Sequence, residues 1–207
     1  MLKGLYVLTG DKLFPHQQWP ERVEQIILAG ANIIQLREKS LSEEKLLPLA
    51  QQLHEICKHY GALFIINDYV SLARKISADG VHIGQYDQSL RDARQYLGNQ
   101  FIIGVSCYRH LYQAIKAQQL GADYVAFGSM FPSTTKANAL RCPLSIITQA
   151  KRRLHVPVCA IGGISHKNVG HVLTSGADMI AISHAVFNAN DPGIAANKIN
   201  QQVIMPR

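Results

Sequence analysis

Short runs of Val, Ile and Leu recur along the chain, apolar at successive positions rather than alternate ones, and each run ends in polar residues or glycine. Eight such segments can be marked, near residues 4–9, 32–37, 63–67, 80–83, 101–105, 124–128, 158–161 and 179–182. Strands that are apolar on both faces predict a parallel sheet covered by helices. Between them lie helix-compatible stretches, among them 42–59, 110–119 and 166–174. In the first, Leu46, Leu49, Ala50, Leu53 and Ile56 form an apolar stripe at helical spacing. Ser42 followed by Glu43 and Glu44 reads as an N-cap with dipole-matched acids. Pro48 is expected to bend that helix or delay its start.

A short repeat supports the count. Ala29-Gly30-Ala31-Asn32, Leu120-Gly121-Ala122-Asp123 and Ser175-Gly176-Ala177-Asp178 each precede a strand, with Ala78-Asp79-Gly80 a weaker relative. Glycine after a helix is a left-handed C-cap, so each copy reads as helix, stop, strand. Eight alternating βα units predict a single (β/α)8 TIM barrel over 1–207, with an open doubly wound sheet as the alternative. The fourth unit is short. In either fold, ligands gather at the carboxyl ends of the strands.

Those ends carry the candidate chemistry. In Ile33-Ile34-Gln35-Leu36-Arg37-Glu38-Lys39, strand alternation puts Gln35, Arg37 and Lys39 on one side, with Ile34 and Leu36 towards the helices. Gln35 lies between apolar neighbours, and a buried amide needs partners. Asn67-Asp68 ends the third strand and Asp87 follows the fourth, so both carboxylates are expected at one rim. One or two carboxylates with substrate phosphates are how Mg2+ is usually held. The plainer reading of Asn67-Asp68 is a cap for the helix that follows. After strand six, Ser133-Thr134-Thr135-Lys136 supplies hydroxyls and a cation suited to phosphate oxygens. After strands seven and eight, Gly162-Gly163 and Ser183-His184 stand where barrels bind phosphomonoesters through backbone N–H groups.

Composition changes this picture little. Apolar residues make up 47% and charged residues 17%, which argues for a folded core. No apolar run is long enough to span a bilayer, and the N-terminal pattern lacks a signal peptide's features, so a cytoplasmic protein is expected. Cys57, Cys107, Cys142 and Cys159 are far apart and form no C-x-x-C pair, which predicts reduced, buried thiols; no Cys/His zinc spacing appears. The formal charge of +7 raises nucleic acid as a partner, but the cations are dispersed and not interleaved with aromatics. Lys151-Arg152-Arg153, the longest basic run, falls at a helix end. Small anionic substrates account for part of the excess. Oligomeric state is not legible.

In order and spacing, these motifs resemble the thiamine phosphate synthase family, essentially end to end. The resemblance is carried by Gly4-Leu5-Tyr6-Val7-Leu8-Thr9, Gln35-Leu36-Arg37-Glu38-Lys39, Asn67-Asp68, Gly80-Val81-His82-Ile83-Gly84-Gln85 leading to Asp87, and Ile103-Gly104-Val105-Ser106. It continues through Gly121–Gly128, the loop to Lys136, and Ala160-Ile161-Gly162-Gly163-Ile164. It implies coupling of 4-amino-2-methyl-5-hydroxymethylpyrimidine diphosphate to a carboxylated thiazole phosphate, with loss of pyrophosphate and CO2. By that resemblance Asp68 and Asp87 hold Mg2+, and Arg37, Lys39, Ser106 and Lys136 form the catalytic set. Gln35, Leu36, Arg37, Glu38, Lys39, Asn67, Ser106 and Lys136 meet the pyrimidine diphosphate. Ser133, Thr134, Thr135, Gly163, Ser183 and His184 meet the thiazole phosphate. Ser133 replaces a frequent threonine and His184 a frequent serine. A thiazole tautomerase-like isomerase on the same fold is the alternative; it would not need the paired acids, and Ser129 stands where it typically has histidine.

Overall fold

A computed structural model describes residues 2–10, 14–84, 87–132 and 140–204. Eight parallel strands close into one barrel in chain order: β1 (Gly4–Leu8), β2 (Ile33–Leu36), β3 (Leu63–Asn67), β4 (Gly80–Ile83), β5 (Ile102–Tyr108), β6 (Tyr124–Phe127), β7 (Val158–Ile161) and β8 (Met179–Ile182). The ring is completed by β8 pairing with β1, Gly4 opposite Met179. The covering helices are α1 (Trp19–Leu28), α2 (Glu43–Tyr60), α3 (Val70–Lys75), α4 (Leu90–Leu97), α5 (Leu111–Gln119), α6 (Ser145–Lys151), α7 (Val169–Thr174), α8 (His184–Phe187) and α9 (Pro192–Ile204). The closed barrel, not the open sheet, is the architecture.

Strand alternation divides the core into two. Leu5, Val7, Ile34, Leu36, Phe64, Ile66, Val125 and Phe127 face outward and pack under the helices. Tyr6, Leu8, Ile33, Ile65, Tyr124, Ala126, Cys159, Met179 and Ala181 fill the barrel. Gly104 is what lets Tyr124 fit there: a Cβ on Gly104 would sit 2.0 Å from the Tyr124 Cζ. Gly104→Ala is therefore predicted to destabilise the fold by about 1–3 kcal/mol through overpacking. Urea unfolding measures this, and an unchanged midpoint would refute it.

Three departures from the sequence-based expectations have local causes. Helix α2 starts at Glu43 and runs through Pro48, so proline does not delay it. The bond from Leu46 N–H to the Ser42 carbonyl (3.0 Å) closes the first turn before the proline is reached. Ser42 occupies the N-cap position, but its hydroxyl makes no capping bond. Helix α7 begins at Val169 rather than near 166, because Asn168 folds the preceding segment back. Its Oδ1 accepts from Ser165 N–H at 2.8 Å and its Nδ2 donates to the Gly163 carbonyl at 2.9 Å.

The glycines of the repeat adopt positive φ, +99° at Gly30, +88° at Gly121 and +93° at Gly176, as left-handed caps require. The acids beside them do something the pattern did not show. Asp79, Asp123 and Asp178 each accept, at 2.7 Å, the N–H of a residue on the preceding strand: Phe64, Ile103 and Val158. Arg94 and Lys151 pair with the second and third of these carboxylates. The amino-terminal end of the barrel is thus tied strand to strand, and the opposite end is left for the site.

Candidate active site

At the carboxyl ends of the strands lies a cavity of about 820 Å³. It is lined by Gln35, Arg37, Lys39, Asn67, Asp68, Asp87, Ser106, Gly163, Ser183 and His184. Ten of the residues expected from the sequence therefore meet in one place. The period-two geometry of β2 delivers Gln35 to the cavity, and Arg37 and Lys39, just past the strand's end at Leu36, line it as well. Leu36 and Glu38 are not among the lining residues. Leu36 is fully buried in the layer under the helices, so its side chain cannot reach a substrate in the cavity. Glu38 accepts from the Ser40 N–H and hydroxyl, both at 2.6 Å, and meets His16 Nε2 at 3.0 Å. Burial pushes the Glu38 carboxyl up, yet these bonds more than offset it and hold the group below its ordinary value. Ser133, Thr134, Thr135 and Lys136 lie outside the described residues.

Asp68 is not a helix cap: the N-cap of α3 is Tyr69. Asp68 sits in the left-handed region at φ +65°, and its Oδ2 lies 2.9 Å from Lys39 Nζ. Asp87, brought round from β4, lies against the Asp68 carboxyl, and its Oδ2 accepts the Gly84 N–H at 2.7 Å. Burial first, and then the Asp68 carboxyl, raise the Asp87 pKa above its ordinary value. A raised folded pKa means that this group's contribution to stability is complete below the ordinary aspartate range and is lost as pH climbs through the elevated value. In metal-free protein, Asp87→Asn is predicted to raise Tm at neutral pH, with the gain vanishing at acid pH. Superimposable Tm–pH curves for the two proteins would refute this.

The floor of the cavity is polar in a way not expected from the sequence. Gln35, 2% exposed, places Nε2 at 2.5 Å from the Tyr6 hydroxyl. Tyr6 and Tyr124 hydroxyls are 2.8 Å apart, the Tyr124 hydroxyl is 2.9 Å from His82 Nδ1, and His82 Nε2 is 2.8 Å from Ser106 Oγ. Burial pushes both phenols well up, so they remain neutral hydrogen-bonding groups. Gln35 Oε1 is buried without a protein partner among the described residues. Cys159 shares this floor. All four cysteines are buried and free; burial raises every thiol, that of Cys142 to about 11, so none is a ready nucleophile.

The far side of the cavity is built by close backbone packing. Gly162 (φ +103°) carries a carbonyl that accepts from Phe131 N–H at 3.0 Å. A Cβ on Gly163 (φ +63°) would lie 2.3 Å from the Pro132 carbonyl oxygen. Ser183 and His184 open the short α8, whose other end is held by Arg22. The Arg22 guanidinium donates to the Phe187 carbonyl at 2.8 and 3.0 Å and also to that of Ala189. Asn188 Nδ2 lies 3.1 Å from His184 Nδ1, which orients that ring.

The sequence profile of the family described as thiamine monophosphate synthase matches residues 5–186. The chain belongs to this family. Its similarity to individual thiamine monophosphate synthase family members is nearly end to end. It is 43% identical over 198 residues to the thiamine-phosphate synthase of Thioalkalivibrio sulfidiphilus, covering 96% of this chain and 94% of that one. To the thiamine-phosphate synthase of Methylococcus capsulatus it is 42% identical over 205 residues, covering 99% and 91%. The solved thiamine phosphate pyrophosphorylase from Pyrococcus furiosus superposes with a TM-score of 0.89 at 33% identity, covering 97% of this chain and 95% of that one. A 3-hexulose-6-phosphate synthase structure, at TM-score 0.71 and 17% identity, shares the fold alone.

For this member of the thiamine monophosphate synthase family, sequence reasoning missed Tyr6, His82, Tyr124 and the cavity-lining Arg109. A signal was present for the first three: each is a polar side chain at an inward position of an otherwise apolar strand. Arg109 follows the end of β5, where parity no longer predicts direction.

Proposed function

We propose that the protein is a thiamine phosphate synthase acting as one catalytic domain over 1–207. It joins 4-amino-2-methyl-5-hydroxymethylpyrimidine diphosphate to carboxylated thiazole phosphate, releasing pyrophosphate and CO2. The observation that carries this reading is the convergence of Lys39, Asp68 and Asp87 with Gln35 and Arg37 at one mouth of the barrel, in a chain of this family.

In this reading Gln35 and Asn67 orient the pyrimidine, and Arg37, Lys39 and Lys136 neutralise the leaving pyrophosphate. Ser106 stands beside the reacting methylene. The ring delocalises the positive charge that the departing group leaves, and the thiazole nitrogen attacks the methylene carbon. Gly163, Ser183 and His184, with Ser133, Thr134 and Thr135, seat the thiazole phosphate. Placing both substrates in one cavity removes several kcal/mol of entropic barrier, roughly 7–11 at the upper limit of such effects.

Asp68 and Asp87 suit Mg2+ as the cofactor. Two carboxylates pressed together, one with a raised pKa, are a donor pair that a cation relieves. Among the described residues there is no cluster of three or more His, Cys, Asp or Glu side chains for a metal. That sparse donor set fits an ion that leaves positions for water and substrate phosphates. When bound, the metal would supply Lewis-acid neutralisation of the leaving group.

No described helix is long and apolar enough to cross a membrane. The reading places two small anionic substrates and a cytoplasmic setting with this enzyme, and involves neither nucleic acid nor membrane. Incubation with both substrates and Mg2+ tests it: thiamine phosphate and pyrophosphate are expected in equal amounts, with loss of product in chelator. Isomerised thiazole without coupling, or no turnover, would overturn the proposal.

A further inference from the structure

The hydrogen-bonded chain on the cavity floor has a direction, and that direction follows from its ends. An amide nitrogen donates and cannot accept, so Gln35 Nε2 donates to the Tyr6 oxygen. Among the described residues the Tyr124 oxygen is the acceptor left for the buried Tyr6 proton, and His82 Nδ1 is then the acceptor left for the Tyr124 proton. A ring nitrogen that accepts carries no hydrogen. The neutral imidazole therefore holds its proton on Nε2 and donates it to Ser106 Oγ. With its oxygen already accepting, Ser106 has its own hydrogen left for the cavity. At the other end, Gln35 Oε1 is left as an acceptor.

We propose that His82 is a positioning residue whose Nε2–H tautomer, fixed through Tyr124 and Tyr6, sets the polarity of the cavity floor, making Ser106 a donor and Gln35 an acceptor towards the pyrimidine diphosphate. This rests on the reading given under Proposed function and adds to it a group that acts through Ser106. The polarity matters at both ends. An acceptor at Gln35 matches the exocyclic amino group of an aminopyrimidine and opposes an oxo-pyrimidine, which has no hydrogen to give there. A donor at Ser106, beside the methylene, faces the bridging oxygen that gains negative charge as pyrophosphate leaves, where a preplaced hydrogen bond is most effective. Reversing the chain would turn Ser106 Oγ into a lone pair facing that charge.

The first test needs no variant. NMR of wild-type protein labelled with 15N-histidine, with His82 assigned by the signal lost in His82→Gln, is expected to show a protonated Nε2 and an unprotonated Nδ1. A protonated Nδ1 would overturn the proposal. The second test is kinetic. The side-chain amide nitrogen that His82→Gln introduces reaches the place of Nε2 and keeps the donor to Ser106, whereas that of His82→Asn, one methylene shorter, does not. His82→Asn is expected to lower kcat about 10- to 100-fold, the scale of one lost buried hydrogen bond. Its KM for the thiazole phosphate should not change, and His82→Gln should recover most of the loss. Equal kcat in H82N, H82Q and wild type would overturn the proposal, as would a loss in H82N that H82Q does not recover. Turnover combined with a protonated Nδ1 rejects the polarity alone; the predicted tautomer without any coupling rejects the enzymatic reading and leaves the polarity standing.

Discussion

Replacing Asp68 with alanine is expected to lower kcat for coupling by at least about 10²- to 10³-fold, the scale on which a single preorganised electrostatic group acts. The carboxylate is the hub of the acid cluster: it pairs with Lys39 at 2.9 Å and contacts Asp87. Its removal takes away half of the oxygen donors proposed for Mg2+ and frees Lys39 from its anchor. Because Asp68 lies at φ +65°, alanine also introduces backbone strain of about 1–2 kcal/mol. Asp68→Asn separates the two effects, since asparagine tolerates that region and keeps the shape while losing the charge. Both variants should be inactive, and both should need far more Mg2+ to give any residual rate. Near-normal turnover in Asp68→Ala would contradict the metal assignment; an active asparagine variant beside an inactive alanine one would assign the effect to the backbone.

Gly163→Ala should reduce kcat/KM by about 10²-fold, the cost of misplacing reacting groups by around 1 Å. The methyl group would stand 2.3 Å from the Pro132 carbonyl oxygen and 2.7 Å from that of Phe131, both backbone atoms that cannot swing aside as a side chain would. To make room, the segment leading to Ser133–Lys136 must retreat while the proposed phosphate seat shifts with Gly163. Both substrates are then mispositioned by one carbon atom. The barrel should survive, because this contact lies at the mouth and not among the strands. Circular dichroism is expected to be unchanged while KM for the thiazole phosphate rises. Wild-type kinetics in this variant would show that the seat lies elsewhere.

How much of this was legible in the sequence depended on whether a residue obeyed a short-period rule. Uninterrupted apolar runs gave the strands, and the repeated glycine stops supported their count; closure into a ring rather than an open sheet rests on the pairing of β8 with β1, two strands far apart in the chain. Alternation placed Gln35, Arg37 and Lys39 correctly. The same rule turns the side chains of Leu36 and Glu38 away from the cavity, which leaves only their main chain to meet a substrate there. Leu36 belongs to the outer core and Glu38 is engaged by Ser40 and His16. Asn67-Asp68 admitted a capping role until the structure put Tyr69 at the N-cap of α3, with no side-chain capping bond. Tyr6, Tyr124 and His82 were harder. Their significance lies in hydrogen bonds spanning up to 118 residues of separation, which no local pattern encodes. Neither was the second task of the repeat visible, since a carboxylate bound to a backbone N–H 15 to 20 residues earlier leaves no periodic trace.

Those three aspartates bear on how the chain reaches its folded form. Each clasp joins an odd-numbered strand to the start of the next even-numbered one across a short stretch of chain, so its loop-closure entropy is small. The barrel can therefore form from β-α-β couples that each hold together before the circle is complete. Native-state hydrogen exchange should find strands three and four, five and six, and seven and eight opening as partners, while the catalytic loops exchange independently of them.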